Sequence, residues 1–146
     1  MNNVIILFLI ATYVQVSFGS EDDNINKIIR ITEMCVNENN LNATKVNSVW
    51  VPGTIPENDD DIITFFLCSF RKLHIFDERN LINYDNLRYN VPSFLKITFT
   101  EIMDYEKITN GIAEDCFTFL QTLPSQIHII KIRNCGVSYA QSRIAT

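Results

Sequence analysis

The chain holds only four glycines and four prolines in 146 residues, two histidines, and no run rich in lysine or arginine. Each shortage excludes something. With 12 basic against 17 acidic side chains and a formal charge of −5, it lacks the electrostatic footprint for nucleic acid or for an anionic membrane surface. No CxxC or HxxxH occurs, so the close ligand pairs of a structural zinc site are missing. Neither GxSxG nor HExxH is present, and neither His74 nor His128 sits in a His-Asp dipeptide with a calcium loop. A catalytic reading needs a nucleophile or carboxylate arranged around a histidine, so the chain reads as a non-enzyme with no cofactor and no metal. Asp59-Asp60-Asp61 lacks the alternating ligands and closing Glu of a calcium loop, and suits the start of a helix better.

Long apolar runs are also scarce; there is one. Val4 to Val16 carries no charge, Ser17 and Gly19 place small residues before a cut, and Glu21, Asp22 and Asp23 follow at once. The pattern is that of a secretory signal peptide over residues 1–19. The run is shorter than the ~20 residues that span a bilayer. Cleavage after Gly19 leaves a single domain, residues 20–146, secreted and extracellular, with no membrane insertion afterwards. All of the formal charge lies in this part.

In an exported chain the four cysteines, Cys35, Cys68, Cys116 and Cys135, read as two disulfides rather than as thiols. Three pairings are open. Few breakers imply long elements, and the spacing is helical. Ile28, Ile29, Thr32, Cys35 and Val36 recur on one face from Ile25 onward. A short helical piece is expected at Ala43 to Trp50, then a loop from Val51 to Asn58. Asn58 is expected to cap a helix with Asp59, Asp60 and Asp61 in its first turn and Arg71, Lys72 and His74 near its end. Its apolar stripe is Ile62, Phe65, Phe66, Phe70 and Leu73.

Asp77 to Asn86 reads as a polar turn. Pro92 suits the first turn of a helix holding Phe94, Leu95, Ile97 and Phe99. A further helix is expected to hold Ile102, Tyr105, Ile112, Cys116, Phe117 and Leu120, interrupted by Asn110-Gly111. The β-branched Ile127 to Ile132 (IHIIKI) favours a strand by propensity, yet no partner strand is apparent, so it reads as helix. The fold class is all-α, a compact bundle of about six short helices. Asn42-Ala43-Thr44 is a glycosylation sequon at Asn42.

The order and spacing of the cysteines resemble insect odorant-binding proteins (pheromone/general odorant-binding), in the four-cysteine or C-minus type that lacks the second and fifth of six. The two missing positions fall on Thr64 and Gln126, so both halves of one family bridge are absent together. The stretch CSFRKLHIFDERNLINYDNL after Cys68 also looks like the family's segment after its third cysteine. The chain departs in a long Cys68-to-Cys116 interval, in Asn110-Gly111 and in IHIIKI. The resemblance implies the pairing Cys35–Cys68 and Cys116–Cys135, six helices around an internal apolar cavity, and a carrier of odorants, pheromones or other lipid-like molecules. It allows a membrane receptor as a further partner.

The aromatic load supports an interior cavity. Phe65, Phe66, Phe70, Phe94, Phe99, Phe117 and Phe119 are candidates for the interior, although stripes at helical spacing are commonly packed core. The expected ligand-binding set is Phe66, Phe70, Leu73, Leu95, Phe99, Met103, Phe117, Leu120 and Ile130, with Tyr89, Tyr105 or Tyr139 as polar contacts. Gly136 to Thr146 is expected to fold over an opening. His128 is a candidate sensor through which mild acidity lowers ligand affinity. The alternative is a secreted helical signalling or effector protein acting through a protein–protein surface; short helices between polar loops favour the carrier. Oligomeric state has no signature in the sequence.

Overall fold

The structure is a computed structural model that describes residues 20–101, 103–118 and 124–144. The leader expected over residues 1–19, and Ile102, Phe119 and Leu120, lie outside the described residues.

Six α-helices and one 3-10 turn make up the described residues, with an isolated bridge between Phe76 and Ile82 in place of a sheet. Helix α1 (Ser20–Glu38) buries Ile28, Ile31, Thr32 and Cys35. The buried face is rotated from the expected one, and Ile29 is 44% exposed. Asn40 ends α1 at φ 51°, with the Leu41 amide donating to the Val36 carbonyl at 3.0 Å. That is the left-handed stop which Asn tolerates without glycine. Helix α2 (Ala43–Asn47) runs into the 3-10 turn at Ser48–Trp50.

Helix α3 (Asp60–Lys72) is capped by Asp59 and not by Asn58. The Asp59 carboxylate accepts from the Asp61 and Ile62 amides at 3.0 and 3.2 Å, and Asp60 and Asp61 occupy the first turn. His74 at φ 58° stops α3 as Asn40 stops α1, with the Ile75 amide on the Phe70 carbonyl at 2.8 Å. The polar stretch after it is a turn closed by Asp77, whose side chain accepts from the Arg79 and Leu81 amides.

Asn83 starts helix α4 (Tyr84–Thr98), accepting from the Asn86 amide at 3.0 Å. Pro92 therefore lies inside α4 and not in its first turn. The lost amide bond costs about 3 kcal/mol in a helix interior, and the burial of Leu87, Val91 and Leu95 on the same helix offsets it. Phe99 falls outside, as an extended C-cap. Asp104 caps helix α5 (Tyr105–Cys116), and Phe117 follows as its C-cap. Asn110-Gly111 does not interrupt it. A Cβ on Gly111 would stand 1.9 Å from the Tyr139 hydroxyl, so glycine here serves close helix approach rather than a turn.

Helix α6 (Ser125–Ile144) takes in both IHIIKI and the tail to Ile144, which continues the helix instead of folding over an opening. His128, Ile129, Ile130, Ile132, Val137 and Ala140 are buried on it. Burial of these isoleucines overrides the strand propensity of β-branched residues. Cys35 joins Cys68 and Cys116 joins Cys135, each with Cα atoms 5.8 Å apart, so α1 is tied to α3 and the end of α5 to α6. This is the pairing the resemblance implied.

Candidate functional site

The helices enclose a cavity of about 70 Å³. Helix α4 contributes Leu87, Val91, Phe94, Leu95 and Thr98, successive positions of one face. Helix α6 contributes Ile129, Ile132, Arg133, Gly136 and Val137 in the same way, so Ile130 points elsewhere. Phe66 and Phe70 come from α3, Val49 and Trp50 from the 3-10 turn, and Ile112 and Phe117 from α5 and its cap. Phe70 and Phe94 stack with centroids 5.6 Å apart and rings 1° from parallel, and Trp50 leans on Phe94 at 5.5 Å. Phe66 meets Phe70 edge-on at 5.0 Å. Such pairs hold rings in place beyond what burial alone does.

Of the residues expected to bind ligand, Phe66, Phe70, Leu95 and Phe117 stand on these walls. Leu73, Phe99 and Ile130 are buried in the core without lining the cavity. Met103 lies along a groove with Lys107 and Arg143. The tyrosines expected as polar contacts are also elsewhere. Tyr89 is 65% exposed, Tyr105 lies under the Lys96 ammonium at 4.9 Å, and Tyr139 packs at Gly111 beneath the Arg143 guanidinium.

Sequence reasoning missed Arg133. Its guanidinium donates to the carbonyls of Val49 (2.8 Å), Val51 (2.7 Å), Ser48 (3.4 Å) and Gly53, and to Asn134 Oδ1 (3.1 Å). Nε adds a second bond to Val49 at 3.2 Å. Asn134 in turn pairs with Ile55, accepting from its amide and donating to its carbonyl, both at 3.0 Å. The two side chains fasten the segment from Ser48 to Ile55 onto α6. No carboxylate lies within ion-pair distance of Arg133 among the described residues, and burial lowers its pKa to about 10, which still leaves it charged at neutral pH. The available signal was a cation spaced four positions from Ile129 and three from Gly136, on the face those residues share.

His128 is 1% exposed, with Nε2 3.4 Å from the Tyr84 hydroxyl. Burial, and then the charge of Lys131, pushes its pKa below the ordinary imidazole value, so it is neutral at pH 7. Lys131 itself pairs with Glu57 at 3.3 Å on the outside. His74, at the left-handed stop after α3, is far along the chain from this pair and exposed. No group of His, Cys, Asp and Glu suited to a metal ion occurs among the described residues, and no helix among them is long and apolar enough to cross a membrane.

No curated protein matches the chain in a sequence comparison. A family model, described as the PBP/GOBP family, matches residues 19–140, which span both disulfides and every wall of the cavity. The chain belongs to the PBP/GOBP family, the insect odorant-binding proteins.

Proposed function

We propose that the protein is an extracellular carrier, freed of residues 1–19, that takes one small hydrophobic molecule reversibly into the cavity between α3, α4 and α6. Members of its family are small-ligand carriers and not enzymes. The observation that carries the reading for this chain is a cavity walled almost wholly by hydrocarbon, with only Thr98 and Arg133 as polar wall residues. Transfer of ligand surface into such a space is favourable by about 25 cal/mol per Å² of apolar area. The cavity without ligand is small beside the ~300–1,000 Å³ of pockets that hold drug-sized molecules. Ligand entry therefore moves side chains, Phe94 and Trp50 first, since both are only partly buried. The sequon residue Asn42 is exposed at the cap of α2, where a glycan would stand clear of the cavity.

Displacement of a fluorescent apolar probe by terpenoid and medium-chain compounds tests the reading. Micromolar competition is the expected result. Failure of the probe and of all competitors to bind would turn the reading toward a protein acting through its outer surface.

A further inference from the structure

We infer that a groove outside the bundle, between α4 and α5, is a second binding site, separate from the interior cavity, and that it takes a neutral saccharide. The groove holds about 580 Å³ against about 70 Å³ inside, within the ~300–1,000 Å³ typical of small-molecule sites. Helix α4 walls both spaces. Leu87, Val91 and Leu95 line the cavity, whereas Arg88, Tyr89 and Pro92 line the groove.

Thr109 carries the inference. It is 5% exposed and lines the groove from α5, and its hydroxyl is the one buried side-chain oxygen among the described residues without a hydrogen-bond partner. Other buried helical hydroxyls return to their own backbone. Thr32 donates to the Ile28 carbonyl at 2.9 Å and Ser69 to the Phe65 carbonyl at 2.7 Å. A buried hydroxyl left unmet is costly, and a guest hydroxyl in the groove would meet it. On the facing wall Pro92 has no N–H, so the Arg88 carbonyl four residues earlier lacks its helical donor. The walls therefore ask for a guest that both donates and accepts.

The rest of the lining suits a polyol. Tyr89, 65% exposed, offers a ring face to the C–H side of a sugar. Asp85 and Glu106 have no cation within ion-pair distance among the described residues, so their oxygens can accept from hydroxyls. Arg88 donates to Asn110 Oδ1, from α4 to α5, which leaves the Asn110 amide nitrogen to donate. A cationic guest would meet the Arg88 guanidinium, and an anionic one the two carboxylates. A neutral guest meets neither repulsion.

Amide chemical shifts of the isotope-labelled protein, titrated with maltotriose, cellotriose, chitotriose and, for contrast, tyramine, test this. At least one trisaccharide is expected to bind with a Kd of about 1 mM or tighter, moving amides of residues 85–93 and 105–110. Thr109→Val, close in shape but lacking the hydroxyl, should weaken that binding about five- to tenfold. Its melting temperature should hold or rise, which a structural role for the hydroxyl would not allow. Tyr89→Ala, at an exposed site, should weaken the saccharide similarly and leave apolar-probe binding unchanged; it serves if the valine variant does not fold. Three results overturn the inference: no trisaccharide shifts at about 20 mM, tyramine moving these amides in place of the sugars, or saccharide affinity unchanged in both variants. Each leaves the carrier reading standing.

Discussion

At Arg133, helix α6 brings a guanidinium into an apolar wall and satisfies it with carbonyls of the segment from Ser48 to Gly53. Replacing it with methionine keeps the stem and leaves those carbonyls without a donor. We expect Arg133→Met to cost about 2–4 kcal/mol, read as a lower midpoint in urea unfolding. At His128 the direction of the pKa shift fixes the pH response. The folded-state value lies below the ordinary one, so as pH falls the unfolded chain takes up the proton first. The contribution is whole above about pH 6.5, the unfolded value, declines below it, and levels off beneath the folded value. Stability should therefore drop between pH 7.5 and 5, and His128→Gln should flatten that slope. Beside burial, the charge of Lys131 lowers the His128 pKa further, and the Tyr84 hydroxyl stands 3.4 Å from Nε2. Burial of the apolar residues was legible at this scale, since Phe65, Phe66 and Phe70 fall on one stripe. The role of Arg133 was not, because it arises from what lies opposite it across the fold.

Among the elements, α3 was the most legible, since Asp residues at one end and basic residues at the other both favour helix. Helix α4 was misplaced because Pro92 is a strong local signal for a first turn. The Asn83 cap and the burial of Leu87 and Val91 outweigh it. Had the helix been started at Tyr84, the cavity face through Leu87, Val91, Phe94 and Thr98 would have followed from its period. The seam between α5 and α6 hid in the same way, as Gly111 reads as a turn residue until Tyr139 is placed over it. Gly111→Ala should destabilise the protein by about 1–3 kcal/mol through overpacking. Thermal melts should show the loss largely restored by adding Tyr139→Leu, which removes the clashing ring end.

On the scale of the whole molecule, two disulfides tie α1 to α3 and α5 to α6, closing loops of 33 and 19 residues in sequence separation. By the loop-entropy relation each contributes about 3–4 kcal/mol, large beside the 5–15 kcal/mol typical of a domain. Paired serine replacement of Cys116 and Cys135 should lower the denaturation midpoint accordingly. The fold class was recoverable from helical spacing and few breakers, and the cysteine pairing from the resemblance. The walls were recoverable only in part, since a cavity is defined by facing surfaces of five separate elements. The account depends on a guest occupying the cavity between α3, α4 and α6. Val91→Phe places a ring in that space, and probe affinity in this variant, with its helicity confirmed by circular dichroism, is the most direct measurement. We predict at least tenfold weaker binding; a folded Val91→Phe protein that binds the probe as the natural chain does would contradict the account.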